Sequence, residues 1–183
     1  MAANQPPWPR EWLMTDERIG DRLWEAIEAL PHGRGGIVFR HYSLDGRDRR
    51  QLGGRVAEAA RRRGLVLAVA GSCRLAEELQ AALIHNPDGR TPLPISMAVH
   101  DEAQAEAAKL ASAALVFVGP VHATRSHPGT AHLSQLRAAK LAQAAGCPAI
   151  ALGGMDAARF NELQAATSGS FHGFAGIDCW LRT

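Results

Sequence analysis

Aromatic residues make up only 5% of the 183 residues, and Tyr42 is the single tyrosine. That scarcity excludes an aromatic platform for stacking single-stranded nucleic acid. Lysine is scarcer still, confined to Lys109 and Lys140. The cations are therefore mostly guanidinium groups, suited to bidentate phosphate or carboxylate contacts, and the same excess is what a coding bias would produce. Cys73, Cys147 and Cys179 form no paired spacing, which argues against a disulfide framework and a structural zinc site. No apolar run approaches the roughly 18 residues of a membrane span, and residues 1–10 lack a basic and apolar leader pattern. Net charge is only +2. The runs Arg47-Asp48-Arg49-Arg50 and Arg61-Arg62-Arg63 lie beside apolar residues at helical spacing, as solvated helix faces do. The expectation is a cytoplasmic protein with no nucleic-acid and no membrane partner.

What is present is a rhythm. Short apolar segments at 36–40, 65–70, 95–99, 114–118, 148–152 and 171–177 alternate with helical patterns at 21–30, 49–63, 74–83, 102–112, 132–145 and 157–166. Residues 12–14 add a first strand, and Ala82-Leu83-Ile84 an eighth candidate. The stretch from His85 to Pro94 is rich in turn residues and breaks the rhythm. Uninterrupted apolar strands are buried on both faces, and their alternation with helices requires parallel pairing through crossovers. The expected fold is one α/β domain over 1–183, a shortened parallel (β/α)8 TIM barrel.

In such an architecture ligands bind at the carboxyl ends of the strands. Those ends carry Thr15-Asp16, Arg40-His41-Tyr42, Gly71-Ser72, His85-Asn86, His100-Asp101, Gly153-Gly154 and Gly176-Ile177-Asp178. The most polar of them is the loop 119–129, where Thr124 and Ser126 place hydroxyls beside Arg125 and His127. Short donors converging from one loop suit a phosphate or pyrophosphate; the same groups could instead cap the following helix. Gly153-Gly154, with Asp156 placed to cap the next helix, forms a second corner where free amides could face an anion.

Leu13-Met14-Thr15-Asp16, Phe39-Arg40, Ala98-Val99-His100-Asp101, Gly119-Pro120-Val121 with Thr124-Arg125-Ser126, and Ala151-Leu152-Gly153-Gly154-Met155 fall in order along nearly the whole chain. In residues and spacing they resemble the thiamine phosphate synthase family, which also contains the thiazole tautomerases. The resemblance implies a transferase barrel. Such enzymes couple hydroxymethylpyrimidine pyrophosphate to thiazole phosphate, giving thiamine phosphate and pyrophosphate with magnesium as cofactor. It implies pyrophosphate contact for Arg40, thiazole phosphate or carboxylate contact for Thr124 and Ser126, and phosphate binding for Gly153 and Gly154. His127 falls among the catalytic positions. The implied partners are small phosphorylated pyrimidines and thiazoles, with association into a homo-oligomer compatible.

The chain also departs from the family pattern. Tyr42 and His127 stand where lysines are expected, and Val69-Ala70-Gly71-Ser72 replaces the stretch that carries an Asn-Asp pair. Asp178 stands where a phosphate-binding serine is expected, and Pro120 where the tautomerases carry a catalytic histidine. Asp88 is the one acidic residue placed to substitute as a magnesium ligand. Two other readings follow. One is a relative that binds a thiazole or thiamine phosphate without turnover. The other is a metal-dependent hydrolase using His85, His100 and His122.

Overall fold

In the computed structural model, which describes residues 8–123 and 132–181, eight parallel strands close into a barrel in chain order. They are β1 (Glu11–Met14), β2 (Gly35–Phe39), β3 (Val66–Ala70), β4 (Leu83–His85), β5 (Ile95–Val99), β6 (Leu115–Val118), β7 (Ala149–Leu152) and β8 (Gly173–Gly176). Closure is made by β8 pairing back onto β1, with Leu13 opposite Gly176. The expected TIM barrel is therefore the observed one.

Among the described residues six α-helices wrap it: α1 (Leu23–Ala29), α2 (Gly46–Arg62), α3 (Cys73–Glu78), α4 (Glu102–Leu110), α5 (Gln135–Ala145) and α6 (Ala157–Ala166). Single 3-10 segments follow β1 (Glu17–Arg22) and β8 (Asp178–Trp180). The shortening has a definite place. β4 runs into β5 through residues 86–94 without a helix, and Asn86 takes a left-handed turn at φ 46°. The helix expected at 74–83 ends at Glu78, and the strand claims Leu83 to His85.

Each helix after β2, β3, β5 and β7 begins at the mouth with a short side chain on its own amides. Asp45, Ser72, Asp101 and Asp156 accept from backbone N–H groups at α2, α3, α4 and α6, and Ser134 does the same at α5. Several mouth carboxylates are thus engaged structurally.

Strand side chains alternate between the barrel interior and the helix layer. Trp12, Met14, Val38, Ala68, Ala70, Leu83, Leu115, Phe117, Ile150 and Ala175 fill the interior. Trp12 meets Phe117 edge-on at 5.5 Å, and its ring covers Gly36, where a Cβ would lie 2.4 Å from ring carbon. Trp180 closes the β8–β1 seam by donating Nε1–H to the Trp12 carbonyl at 3.0 Å and stacking on Phe174. Trp12 is fully buried and cannot yield. Gly36→Ala is therefore expected to cost about 1–3 kcal/mol and lower Tm by roughly 2–12 °C, whereas Gly46→Ala, with open space, should not. Thermal denaturation of the two variants checks this. Among the described residues no helix is long and apolar enough to cross a membrane.

Candidate functional site

The carboxyl ends of the strands form a mouth whose best-defined cation is Arg40, immediately after β2. Its backbone N–H donates to Thr15 Oγ1 at 2.9 Å and its Nε–H to the Thr15 carbonyl at 2.9 Å. Nη2 reaches Asp16 Oδ2 at 3.4 Å. One edge of the guanidinium is thereby held by Thr15 and Asp16, just after β1, while Nη1 has no partner among the described residues. Burial pulls the Arg40 pKa down and the neighbouring Asp16 carboxylate opposes that shift. Asp16 itself is held below the usual carboxylate range by hydrogen bonds from Arg18 and the charges of Arg18 and Arg40, against the upward pull of burial. An anchored guanidinium with one open edge is suited to an anion.

The neighbours of Arg40 divide. His41 turns into the helix layer, stacked on Phe39 at 5.1 Å with Nδ1 3.0 Å from Thr15 Oγ1, and burial lowers its pKa. Tyr42 remains exposed. The sequence places Arg49 on a solvated helix face, and the structure corrects that expectation. It is half-buried in the first turn of α2, and its Nη2 donates to the carbonyls of Arg40 at 3.0 Å and Ala70 at 2.7 Å. Its guanidinium lies 5.4 Å from the Tyr42 ring centre and 5.8 Å from that of Phe39. Arg49 ties the ends of β2 and β3 together, a role that no local spacing announces.

On the other side of the mouth His85, the last residue of β4, points inward. It is 3% exposed and meets Phe117 edge-on at 5.2 Å. Nδ1 lies 3.2 Å from Ser96 Oγ, and Asn86 Nδ2 approaches Nε2 at 3.4 Å. Burial, with Arg40 and His100 nearby, pushes its pKa down to about 3. His100 directs Nδ1 at the Gly119 carbonyl, with its backbone N–H on Gln104 Oε1.

The β6 and β7 ends are pressed together. Val121 N–H donates to the Leu152 carbonyl at 2.8 Å and His122 N–H to that of Gly153 at 3.1 Å. Gly153 has φ 102°, and a Cβ there would meet Pro120 Cβ at 2.6 Å. Gly154 has φ 58°, with Ala123 O at 2.8 Å from a Cβ. Only glycine serves at both positions. Arg159 donates to the Gly154 carbonyl and Asp156 caps α6 beside it. The two glycines therefore bring the root of the 119–129 loop onto the N-terminus of α6. Thr124, Arg125, Ser126 and His127 lie outside the described residues.

Magnesium requires hard oxygen donors, and the described carboxylates at the mouth do not fit it. Asp16 is ion-paired with Arg18 and Arg40, and Glu17 accepts from Ser43 N and Oγ. Asp88, the candidate ligand, is exposed and accepts the Cys73 N–H at 3.1 Å. Asp101 and Asp156 cap helices. No group of three or more His, Cys, Asp or Glu among the described residues is placed to hold a metal ion. His85, His100 and His122 are thus not assembled into the set a zinc hydrolase would need. Asp178 is exposed, and the carboxylate that pairs with Arg40 is Asp16.

Comparison with known proteins places this mouth in a familiar setting. The family model described as thiamine monophosphate synthase matches residues 12–176. A thiamine-phosphate synthase of Mycobacterium avium is 33% identical over 178 residues, covering 84% of this chain and 79% of that protein. Among solved structures, a thiamine phosphate pyrophosphorylase from Pyrococcus furiosus superposes with TM-score 0.76 at 19% identity, over 92% of this chain and 85% of that one. FabK from Thermotoga maritima shares the fold at TM-score 0.67 and 13% identity, over 94% of this chain and 59% of that one.

Proposed function

This chain belongs to the thiamine monophosphate synthase family, and we propose that it is a transferase joining hydroxymethylpyrimidine pyrophosphate to thiazole phosphate. The products are thiamine phosphate and inorganic pyrophosphate. The observation that carries this reading is Arg40, anchored along one guanidinium edge and open along the other at the barrel mouth.

The bond changes ask little of an acid or base. The C–O bond between the pyrimidine methylene and pyrophosphate breaks, and its electron pair leaves with the pyrophosphate. The thiazole nitrogen lone pair then forms the new C–N bond, and no proton is lost from that nitrogen. The protein must hold the two rings in line and neutralise the departing charge. Arg40 supplies a fixed cation for the pyrophosphate. The amides at Gly153, Gly154 and the α6 N-terminus suit the thiazole phosphate, and Thr124 and Ser126 extend from the same corner in sequence. His127 is assigned to the pyrophosphate side in place of a lysine. Magnesium supplies charge neutralisation in this chemistry when bound, and the described carboxylates, engaged within the protein, do not fit it.

A second reading, ligand binding without turnover, draws on that same misfit: Asp16, Asp88, Asp101 and Asp156 are all engaged within the protein. Purified protein incubated with both substrates, with and without magnesium, decides between them. Thiamine phosphate formation supports the synthase. Calorimetric binding of either substrate without product supports the second reading and sinks the first.

A further inference from the structure

We propose that the protein self-associates through a gap in its helix layer, where the outer face of β5 takes up helix α4 of a second copy. The proposal is independent of the reaction assigned to the mouth.

The gap follows from the shortened crossover. Parallel strands are buried on both faces because crossover helices cover them. Residues 86–94 join β4 to β5 with no helix, and the consequence falls on β5. On the other seven strands the apolar side chains packed into the helix layer are buried, Ile37, Val69, Ile84 and Val116 among them. On β5 only Val99 is buried, while Ile95 and Met97 are half-buried, as is Leu93 just before them. The segments outside the described residues are 1–7, 124–131 and 182–183. Each is shorter than a mean helix of roughly 11 residues, so this chain holds no spare helix to fill the gap.

The matching element stands at the rim. α4 sets Ala105 and Ala108 against the barrel and is tied to α5 by the Glu102–Arg137 ion pair at 3.0 Å. Its remaining side carries Ala103, Ala107, Leu110 and Ala111 at helical spacing, all exposed, and Leu110 is 78% exposed. No charged residue stands in that stripe, as in the core of an interface. A ridge and a gap side by side on one surface meet the condition for a two-fold contact. Each copy's α4 enters the other's gap, and the same residues serve on both sides. Leu110 of each copy is then set against Ile95 and Met97 of the other. The chain itself supplies the ridge, which assigns the occupant as a second copy rather than an unrelated protein. The patch is far smaller than the roughly 20–30 residues a side of a standard interface, so the association is weak, with Kd on the order of 10–100 μM.

Sedimentation velocity across that concentration range, and about tenfold to either side, is expected to show mass rising from monomer toward dimer and no further. Leu110→Lys and Ala107→Glu each place a charge in the contact and should weaken association by about tenfold or more. Both positions are exposed, so the fold is retained. Leu136→Lys, at a leucine 69% exposed on α5, should leave association unchanged. The methyl NMR signal of Met97 should shift with concentration, and those of the buried Met14 and Met155 should not. A monomer at every concentration, as expected if an unrelated partner covers the face, overturns the inference. So does a dimer that both charged variants leave intact, or growth beyond the dimer.

Discussion

Arg40→Ala is expected to lower kcat/KM for thiamine phosphate formation by about 100- to 1,000-fold, the scale of removing one preorganised donor at a developing charge. The reason lies in how the guanidinium is held. Thr15 and Asp16 occupy one edge, so in the role proposed for Arg40 the open edge would meet the pyrophosphate without rearrangement. The loss should fall mainly on kcat, because the negative charge concentrates on pyrophosphate as the C–O bond breaks. Arg40→Lys keeps the charge but loses the planar fork anchored by two acceptors, so it should recover only a minor part. The fold should survive, since Asp16 retains Arg18 at 2.8 Å and Thr15 retains His41. Steady-state kinetics with the pyrimidine pyrophosphate varied, alongside circular dichroism, check this. Undiminished kcat/KM in a folded Arg40→Ala protein would remove Arg40 from the site.

The second large effect is on stability in mild acid, through His85. Its folded pKa of about 3 lies below the ordinary value of 6.5. Above pH 6.5 the imidazole is neutral in both the folded and unfolded chain and makes no pH-dependent contribution. Below pH 6.5 the unfolded chain takes up a proton that the folded protein refuses. Stability then falls by about 1.4 kcal/mol per pH unit. Carried down to pH 3 the loss would reach about 5 kcal/mol, comparable with the whole stability of many domains. His41 and His122, also lowered by burial, add slopes of the same sign. Urea unfolding of wild type and His85→Phe between pH 7.5 and 4.5 is expected to give curves that diverge below pH 6.5, with the variant flatter by about 1 kcal/mol per unit. Parallel curves would show that His85 protonates in the folded protein. Below that window Asp16, Glu17 and Asp88, held low in the fold, bring losses of their own as they protonate.

Much of the barrel is legible from patterning. The runs that became β2, β3, β5, β6 and β7 are apolar on both faces because a parallel barrel buries both, and that pattern survives any local context. β4 is harder to read. A three-residue apolar run satisfies helical and strand periods alike, so 74–83 reads as helix until the partners of Leu83 and Ile84 on β3 are known. The Gly153-Gly154 corner is legible as a turn. Its close approach to Pro120 and Ala123 is not, since those residues lie some thirty positions away in the chain.

The mouth shows the same division. Arg40 is identifiable at a strand end beside a family pattern, and so are Gly153 and Gly154. Arg49 is not, because an arginine in the first turn of a helix reads as solvated until the carbonyls of Arg40 and Ala70 converge on it. The carboxylates mislead in the opposite direction. Asp88 reads as a ligand candidate, whereas three-dimensional proximity gives it the amide of Cys73.

The scarcity of aromatics, lysines and paired cysteines, together with the strand-and-helix rhythm, determined by itself that this chain is a parallel α/β barrel with guanidinium cations at its strand ends. These are properties of composition and period, which are local. Which edge of Arg40 is open, which partners surround the buried His85, and which carboxylates are engaged as caps were decided only by the closed barrel. Each depends on partners brought from distant strands, and the direction of a buried polar group is set by its partners rather than by its neighbours in sequence.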